Sequence, residues 1–327
     1  MPGYQLDPYT QTYNANIVRD TLSRRYGQRY LDYREQWDRS ERFEVMPFPL
    51  NLVFDLINVC NLKCPMCLRS EDLIVDYPEL KLSKEKLTVD EVVMALDEGA
   101  EHGLPSVNIG GSGECTLHPD FLEFCRATMD RNVMELRIIS NGIRLTPEIS
   151  EGLIDMQATM MSVSIDAFSA ETYGKVRGKP AQYEQVLENI RTFLELRRRR
   201  HSVFPLLRVT FVPQPANKHE TAAYVDHWRT VADMVDVQVH QAYGAKSFSG
   251  DFECSDPFRR LNIWASKKVG PCCGFPGIDY DMGTFGKETL MAIWNGEPMR
   301  QIRREMLDRT YRAPCLRCQG SRTRYDD

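Results

Sequence analysis

The chain has 327 residues, 42% of them hydrophobic and 27% charged, enough to bury a sizeable core in one large domain with small additions. Its net charge of −5, with basic residues scattered among acids, makes no field for polyphosphate, which excludes nucleic acid as an expected partner. The first ten residues lack a charged start followed by an apolar stretch, and no later segment is apolar for long enough to cross a bilayer, so no membrane association and a cytoplasmic location are expected.

Residues 1–48, rich in Arg, Tyr and Asp, read as a helical or partly extended preface packed on the outside of the main domain. Residues 49–243 alternate short β-branched or aliphatic runs with longer helical patterns, the mark of successive βα units around a parallel sheet. Six strands are predicted, over 52–58, 106–109, 135–139, 160–165, 206–212 and 237–240. After the first, Thr88 and Glu91 form a capping-box pattern ahead of an apolar stripe of Val89, Val92, Val93 and Leu96, and Gly103 marks the stop. A longer helix is predicted over 183–199, with Arg197 to Arg200 favourably placed at its negative pole. Six units are too few to close an eight-unit barrel, so the expected fold class is α/β, a partial (βα)6 TIM-like barrel with active residues at the strand C-terminal ends. Beyond residue 243 the rhythm stops, and residues 244–327 form a cysteine-bearing tail expected to make a small second unit stabilised by metal.

Ten cysteines in such a chain point to metal and away from a disulfide framework, because cytosolic reductants hold thiols reduced. Seven fall into two groups, leaving Cys115, Cys125 and Cys273 over. The first group lies immediately after the first predicted strand, in Asn58-Val59-Cys60-Asn61-Leu62-Lys63-Cys64-Pro65-Met66-Cys67, a C-x3-C-x2-C spacing in one loop. Three thiolates ligate three irons of a four-iron cluster and leave the fourth open, whereas four close it. A structural zinc takes four protein ligands, and no fourth Cys or His lies nearby in the sequence.

This loop, placed after the first strand of a partial barrel, resembles that of the radical S-adenosylmethionine (SAM) superfamily. The resemblance implies that Cys60, Cys64 and Cys67 hold a [4Fe–4S] cluster whose open iron binds the amino and carboxylate groups of SAM, and that one electron breaks the sulfonium bond to give a 5′-deoxyadenosyl radical. It also implies SAM contacts further along the chain. Gly110-Gly111-Ser112-Gly113-Glu114 resembles the family's GGE segment, which places Gly111, Ser112, Gly113 and Glu114 near the methionine amino group, although Cys115 stands where proline is usual. Ser140 and Asn141 end the third strand, Ser164 and Asp166 the fourth, and both match positions that bind the ribose or the carboxylate in relatives. Arg177 is a candidate partner for the carboxylate. Asn217 and Glu220 fall where relatives have an N-x-x-E pattern, which helix capping explains equally well.

The tail carries Cys254, Cys272, Cys315 and Cys318, spaced 18, 43 and 3 residues apart, with Trp294-Asn295-Gly296 between. The pattern resembles the twitch form of the SPASM domain and implies one auxiliary [4Fe–4S] cluster, closed by four thiolates and suited to electron transfer. The same ligand set suits a zinc-ribbon site, and Cys273 is an alternative to Cys272. His240, Gln241 and Tyr243, closing the sixth strand, are candidate substrate-binding residues. Cys115 and Cys273 are candidate hydrogen donors, with packed thiols as the plainer reading.

The activity implied is hydrogen abstraction from a small polar sugar- or aminocyclitol-like substrate, oxidised with the auxiliary cluster as electron acceptor. A flavodoxin- or ferredoxin-type partner is expected to supply the first electron. Epimerisation or crosslinking of a ribosomally made peptide is the alternative, although a preface of about 45 residues is short for the leader-binding module of many such relatives. A non-catalytic iron–sulfur or zinc scaffold is the reading of a different class.

Overall fold

In the computed structural model, residues 10–67, 69, 85–180, 182–241, 250–272, 274 and 279–323 are described. The chain opens with β1 (Gln11–Tyr13), α1 (Ala15–Tyr26) and α2 (Gln28–Glu41). The βα alternation comes next: β2 (Asn51–Phe54), α3 (Val89–Glu101), β3 (Ser106–Ile109), α4 (Phe121–Asp130), β4 (Glu135–Ser140), α5 (Pro147–Asp155) and β5 (Met160–Ser164). It continues through α6 (Ala170–Arg177), α7 (Gln182–Arg199), β6 (Leu206–Phe211), α8 (Thr221–Val231), β7 (Met234–Val237) and β8 (His240–Gln241). The tail adds β9 (Arg260–Ile263), β10 (Lys268–Gly270), β11 (Gly283–Thr284), α9 (Leu290–Trp294), α10 (Glu297–Leu307), α11 (Ala313–Ser321) and β12 (Arg322–Thr323).

Strands β2 to β7 are parallel and adjacent in sequence order, and β2 and β7 do not pair with each other. The six-unit sheet is therefore open, as the alternation predicts. Its two edges are each covered by another segment: β1 lies antiparallel on β7, and β9 lies parallel on β2 and leads into the antiparallel β10 and β11. The tail thus extends the same sheet, because an uncovered edge strand leaves a row of unpaired backbone groups.

Strand periodicity sorts the side chains. Leu52, Phe54, Val107, Ile109, Leu136, Ile138, Met161, Val163 and Val209 join one core with Val92, Phe124, Leu153, Val186 and Phe193 of the helices. Among the alternate residues, on the inner face, Asn51, Asn108, Ser162, Arg208, Thr210 and Asp236 are buried and polar. Asn51 donates to Ser106 Oγ at 2.9 Å, and Arg208 donates to Asp236 Oδ2 at 2.7 Å and to Ser162 Oγ at 3.1 Å. Asp236 explains why the sixth strand lies earlier than predicted. In sequence it interrupts an apolar run; in the sheet it is an inward position between the outward Val235 and Val237, and the residues expected to end that strand form β8 instead.

The preface also differs from expectation. Val18, Leu22, Tyr30, Tyr33 and Trp37 form a second core with Leu50, Met134, Met160, Leu206 and Met234, residues that begin or directly precede the parallel strands. Helices α1 and α2 therefore cover the N-terminal end of the sheet, not the helical outside, with Tyr30 Oη donating to the buried Glu135 at 3.1 Å. Helix α3 has the predicted capping box, with the Glu91 N–H on Thr88 Oγ1 at 3.3 Å and the Thr88 N–H on Glu91 at 2.9 Å.

Several tail residues hold the tail to the preface, Arg259 through Glu41 and Trp37, Phe258 through Phe43, and Trp294 through Met46. Trp294 is fully buried, donates its indole N–H to the Met46 carbonyl at 2.8 Å, and carries the Arg303 guanidinium over its ring at 4.0 Å. Trp294→Ala is expected to cost about 3–5 kcal/mol of stability, read from anaerobic denaturant unfolding of the full chain.

Candidate active site and cluster-binding cysteines

The first cysteine loop leaves β2 and is braced along its length. Asn58 donates its N–H to the Glu85 carbonyl at 3.1 Å, and the Glu114 N–H donates to the Val59 carbonyl at 2.9 Å. The glycine-rich turn after β3 packs directly beneath it. A Cβ on Gly113 would stand 2.0 Å from the Ile57 carbonyl oxygen, and one on Gly111 would stand 2.8 Å from Asp55 Oδ1, so neither position has room for a side chain. Gly110 adopts φ +97°, a left-handed conformation that glycine accepts without strain.

Glu114 is the centre of this turn. Its buried carboxylate accepts from Thr116 Oγ1 at 2.6 Å, Ser140 Oγ at 2.7 Å and the Asn141 N–H at 2.8 Å. The Asn141 amide in turn donates to Asn61 Oδ1, between Cys60 and Cys64, at 2.7 Å. One network therefore joins the cysteine loop, the glycine turn and the end of β4. Gly111, Ser112, Gly113, Glu114, Ser140 and Asn141 are brought together around Cys60, with Glu114 committed to organising its neighbours.

Asp166 and Arg177 form a second cluster on the other side of Cys64. Asp166 sits at φ +58°, fully buried, with its carboxylate on the Arg177 guanidinium and on the Val212 N–H at 2.9 Å. Burial pushes the Asp166 carboxyl up, and the Arg177 charge opposes that rise. Arg177 Nη1 lies 3.8 Å from Cys64 Sγ. Burial also pushes the Cys64 thiol up, with Arg177 pulling the other way. Asn217 and Glu220 stand at the N-cap positions of a 3-10 turn and of α8, but their side chains make no cap hydrogen bond there: Asn217 donates to the Asp166 carbonyl at 2.8 Å, and Glu220 accepts from the Phe168 N–H and Ser169 Oγ, each at 2.6 Å. Ser164 accepts from Thr210 Oγ1 at 3.2 Å at the C-terminal end of β5.

Sequence reasoning missed Arg69, Asp55, Asn61 and Asn262. Arg69 donates to the Ser112 carbonyl and, at 3.1 Å, to Ser112 Oγ, while its own N–H lies 3.5 Å from Cys67 Sγ. The signal for Asp55 was available, as the charged residue on the inward register of β2, but its partners come from β9 and the turn after β3 and have no local pattern. Cys115 has the surroundings of a packed core thiol: it is buried, donates to the Ile139 carbonyl at 3.2 Å, and burial pushes it far up. Cys125 is buried in the same core.

In the tail, Cys315 and Cys318 lie one helical turn apart on α11, and Tyr280 Oη stands 3.0 Å from Cys315 Sγ. Burial pushes the Cys315 thiol to about 11, and Cys318 adds to the rise. Burial likewise pushes Cys254 up, with Asp256 and Cys318 adding to it, and Cys272 acts on Tyr280. Cys315 and Cys318 are thus placed together on one helix beside Tyr280, while Cys254 and Cys272 come from two earlier stretches of the tail. Among the described residues no three His, Cys, Asp or Glu side chains are gathered as a single-ion site. In a four-iron cluster each thiolate takes its own iron, so its sulfurs stand further apart than the ligands of one zinc. His240 and Gln241 pair antiparallel with Thr323 and Arg322, while Tyr243 and Cys273 lie outside the described residues.

The Radical SAM superfamily profile matches residues 55–210, and the profile of the SPASM iron–sulfur cluster-binding domain matches residues 254–319. This chain belongs to the radical SAM superfamily. It is similar to the AdoMet-dependent heme synthase of Methanosarcina barkeri, 34% identical over 43% of this chain and 38% of that protein. It is also similar to the mycofactocin maturase MftC of Mycolicibacterium smegmatis, 30% identical over 44% of this chain and 33% of that protein. The matched stretches thus span only about a third of either relative. In fold it resembles SuiB of Streptococcus suis bound to SAM, with TM-score 0.62 and 16% identity over 83% of this chain and 71% of that one.

The cofactors of this radical SAM enzyme are [4Fe–4S] clusters and SAM. The donor set fits them: three thiols stand in one loop, the Arg177 guanidinium beside Cys64 balances negative charge on a thiolate-ligated cluster, and the Arg69 backbone N–H points at Cys67 Sγ. When bound, the cluster supplies one electron and SAM the deoxyadenosyl radical. Among the described residues no helix is long and apolar enough to cross a membrane. Replacing Cys60, Cys64 and Cys67 together by alanine is expected to lower bound iron from about eight to about four per chain, measured by iron and sulfide analysis after anaerobic reconstitution.

Proposed function

We propose that this radical SAM enzyme removes a hydrogen atom from a hydroxyl-bearing carbon of a small polar molecule of the sugar or aminocyclitol class, and completes a two-electron oxidation with the tail cluster as electron acceptor. The observation that carries the substrate class is the polar interior of the sheet. Asn108, Ser162, Arg208, Thr210 and Asp236 are all buried on strand positions whose alternates pack against helices. Asp236 Oδ1 is buried and accepts no hydrogen bond among the described residues, which suits a donor brought by a bound hydroxyl or water.

In this reading the chain's residues bind, orient and exclude water. The glycine turn presents backbone oxygens to the methionine ammonium, Ser140 and Asn141 line the end of β4, and Arg177 holds positive charge beside Cys64. With both cofactors bound, the substrate carbon would give up a hydrogen atom to the 5′-deoxyadenosyl radical, leaving 5′-deoxyadenosine, and would then lose one electron and the hydroxyl proton to become a carbonyl. The four tail cysteines Cys254, Cys272, Cys315 and Cys318 hold the acceptor for that second electron, and a ferredoxin- or flavodoxin-type protein delivers the first.

A second reading is favoured by the similarity to a mycofactocin maturase: the same site would then act on a peptide, with epimerisation or crosslinking as the outcome. Cys273 is the candidate hydrogen donor for an epimerase.

Anaerobically reconstituted, reduced protein given SAM is expected to release 5′-deoxyadenosine, and to do so faster with the right substrate. A polyol substrate should yield a product lighter by two hydrogen atoms, with no solvent deuterium incorporated; deuterium incorporation into a peptide of unchanged composition would favour epimerisation. Complete absence of 5′-deoxyadenosine from cluster-loaded protein would remove both.

A further inference from the structure

Asp55 is a buried carboxylate immediately after β2, ahead of Asn58 and the cysteine loop, and nothing in the cysteine pattern requires it. Its Oδ1 accepts the Ser112 N–H at 2.7 Å, and its Oδ2 accepts from Asn262 Nδ2 at 3.3 Å. Burial pushes this carboxyl up, against the two hydrogen bonds that favour the charged form. Asn262 belongs to β9, the strand of the tail that lies parallel on β2, in register with Val53. The Asp55 N–H itself donates to the Ile263 carbonyl at 3.0 Å, so the carboxylate and the tail strand are fixed to each other by backbone as well as side chain.

The geometry of a peptide bond makes this consequential. The unit is planar and trans, so the N–H of one residue and the carbonyl of the residue before it point in opposite directions. Holding the Ser112 N–H on Asp55 aims the Gly111 carbonyl away from β2. Gly111 is exposed, and its oxygen accepts no hydrogen bond among the described residues. The Ser112 carbonyl, by contrast, is occupied by Arg69. The Gly111 carbonyl is a free acceptor of the turn, and its direction is set by Asp55. A side chain on Gly111 would collide with the same carboxylate.

We propose that Asp55 and Asn262 are positioning residues for SAM: the tail strand orients a buried carboxylate, and the carboxylate turns the Gly111 carbonyl toward the methionine ammonium. The inference rests on the reading of the glycine turn as the SAM amino-group site. It makes the tail a contributor to SAM binding, acting through Asp55, as well as a holder of cysteines.

The test uses the full chain with both clusters loaded and matched iron content, and reads the SAM dissociation constant from the change in the electron paramagnetic resonance spectrum of the reduced protein as SAM is added. Asn262→Asp sets two carboxylates against each other and is expected to weaken SAM binding by about tenfold. The exchange Asp55→Asn with Asn262→Asp restores one amide facing one carboxylate while keeping an acceptor for the Ser112 N–H, and is expected to return the affinity to within about twofold of wild type. Unchanged affinity in the single variant, or failure of the exchange to recover it in protein with wild-type iron content, overturns the proposal. Wild-type protein that binds no SAM at all would instead overturn the reading of the turn on which the proposal stands.

Discussion

The structure depends on one close approach, that of the glycine turn after β3 to the backbone of the cysteine loop after β2. Gly113 lies so near the Ile57 carbonyl that no side chain fits, and the Glu114 N–H closes on Val59 beside it. Because that contact is backbone to backbone, it carries little positional slack. The Glu114 carboxylate extends it to Ser140 and Asn141, and Asn141 returns to Asn61 within the cysteine loop. The three thiols are thus held by a hydrogen-bonded ring of loops from three consecutive strands.

Around this ring, charge is distributed to suit a negatively charged cluster. The Arg177 guanidinium approaches Cys64 and is steadied by Asp166, while Arg69 turns its backbone N–H to Cys67 and its guanidinium to Ser112. A buried arginine of this kind is costly without a partner, and its pairing with Asp166 leaves a fixed guanidinium beside the sulfur. Asn217 and Glu220 stabilise the loops that carry Asp166 and the start of α6, which places them one step behind the cysteines.

The need to close edges shapes the rest of the fold. An open sheet has two exposed margins and two open ends; β1 and β9 occupy the margins, and α1 and α2 cover the N-terminal end through a core of tyrosine, tryptophan and methionine. The C-terminal end is left to the site. The tail enters the fold as a strand of the common sheet, and this explains how Asn262 reaches Asp55, and how Trp294 reaches Met46.

The sequence by itself determined the six-unit alternation, the capping box at Thr88, the three-cysteine loop and the glycine turn after β3. Each of these is a local pattern, governed by periodicity, capping or ligand spacing within a few residues. The tail cysteines were legible only through their resemblance to the SPASM pattern, which left Cys272 and Cys273 as alternatives. Tertiary structure decided what local pattern cannot: that the preface covers the strand N-termini, that Asp236 is an inward strand residue paired with Arg208, that Cys115 is a core thiol, and that Asp55 and Arg69 hold Ser112 between them. In every such case the deciding partner lies on another strand or loop, and a buried charge or thiol takes its character from neighbours that only the folded sheet brings within hydrogen-bond reach.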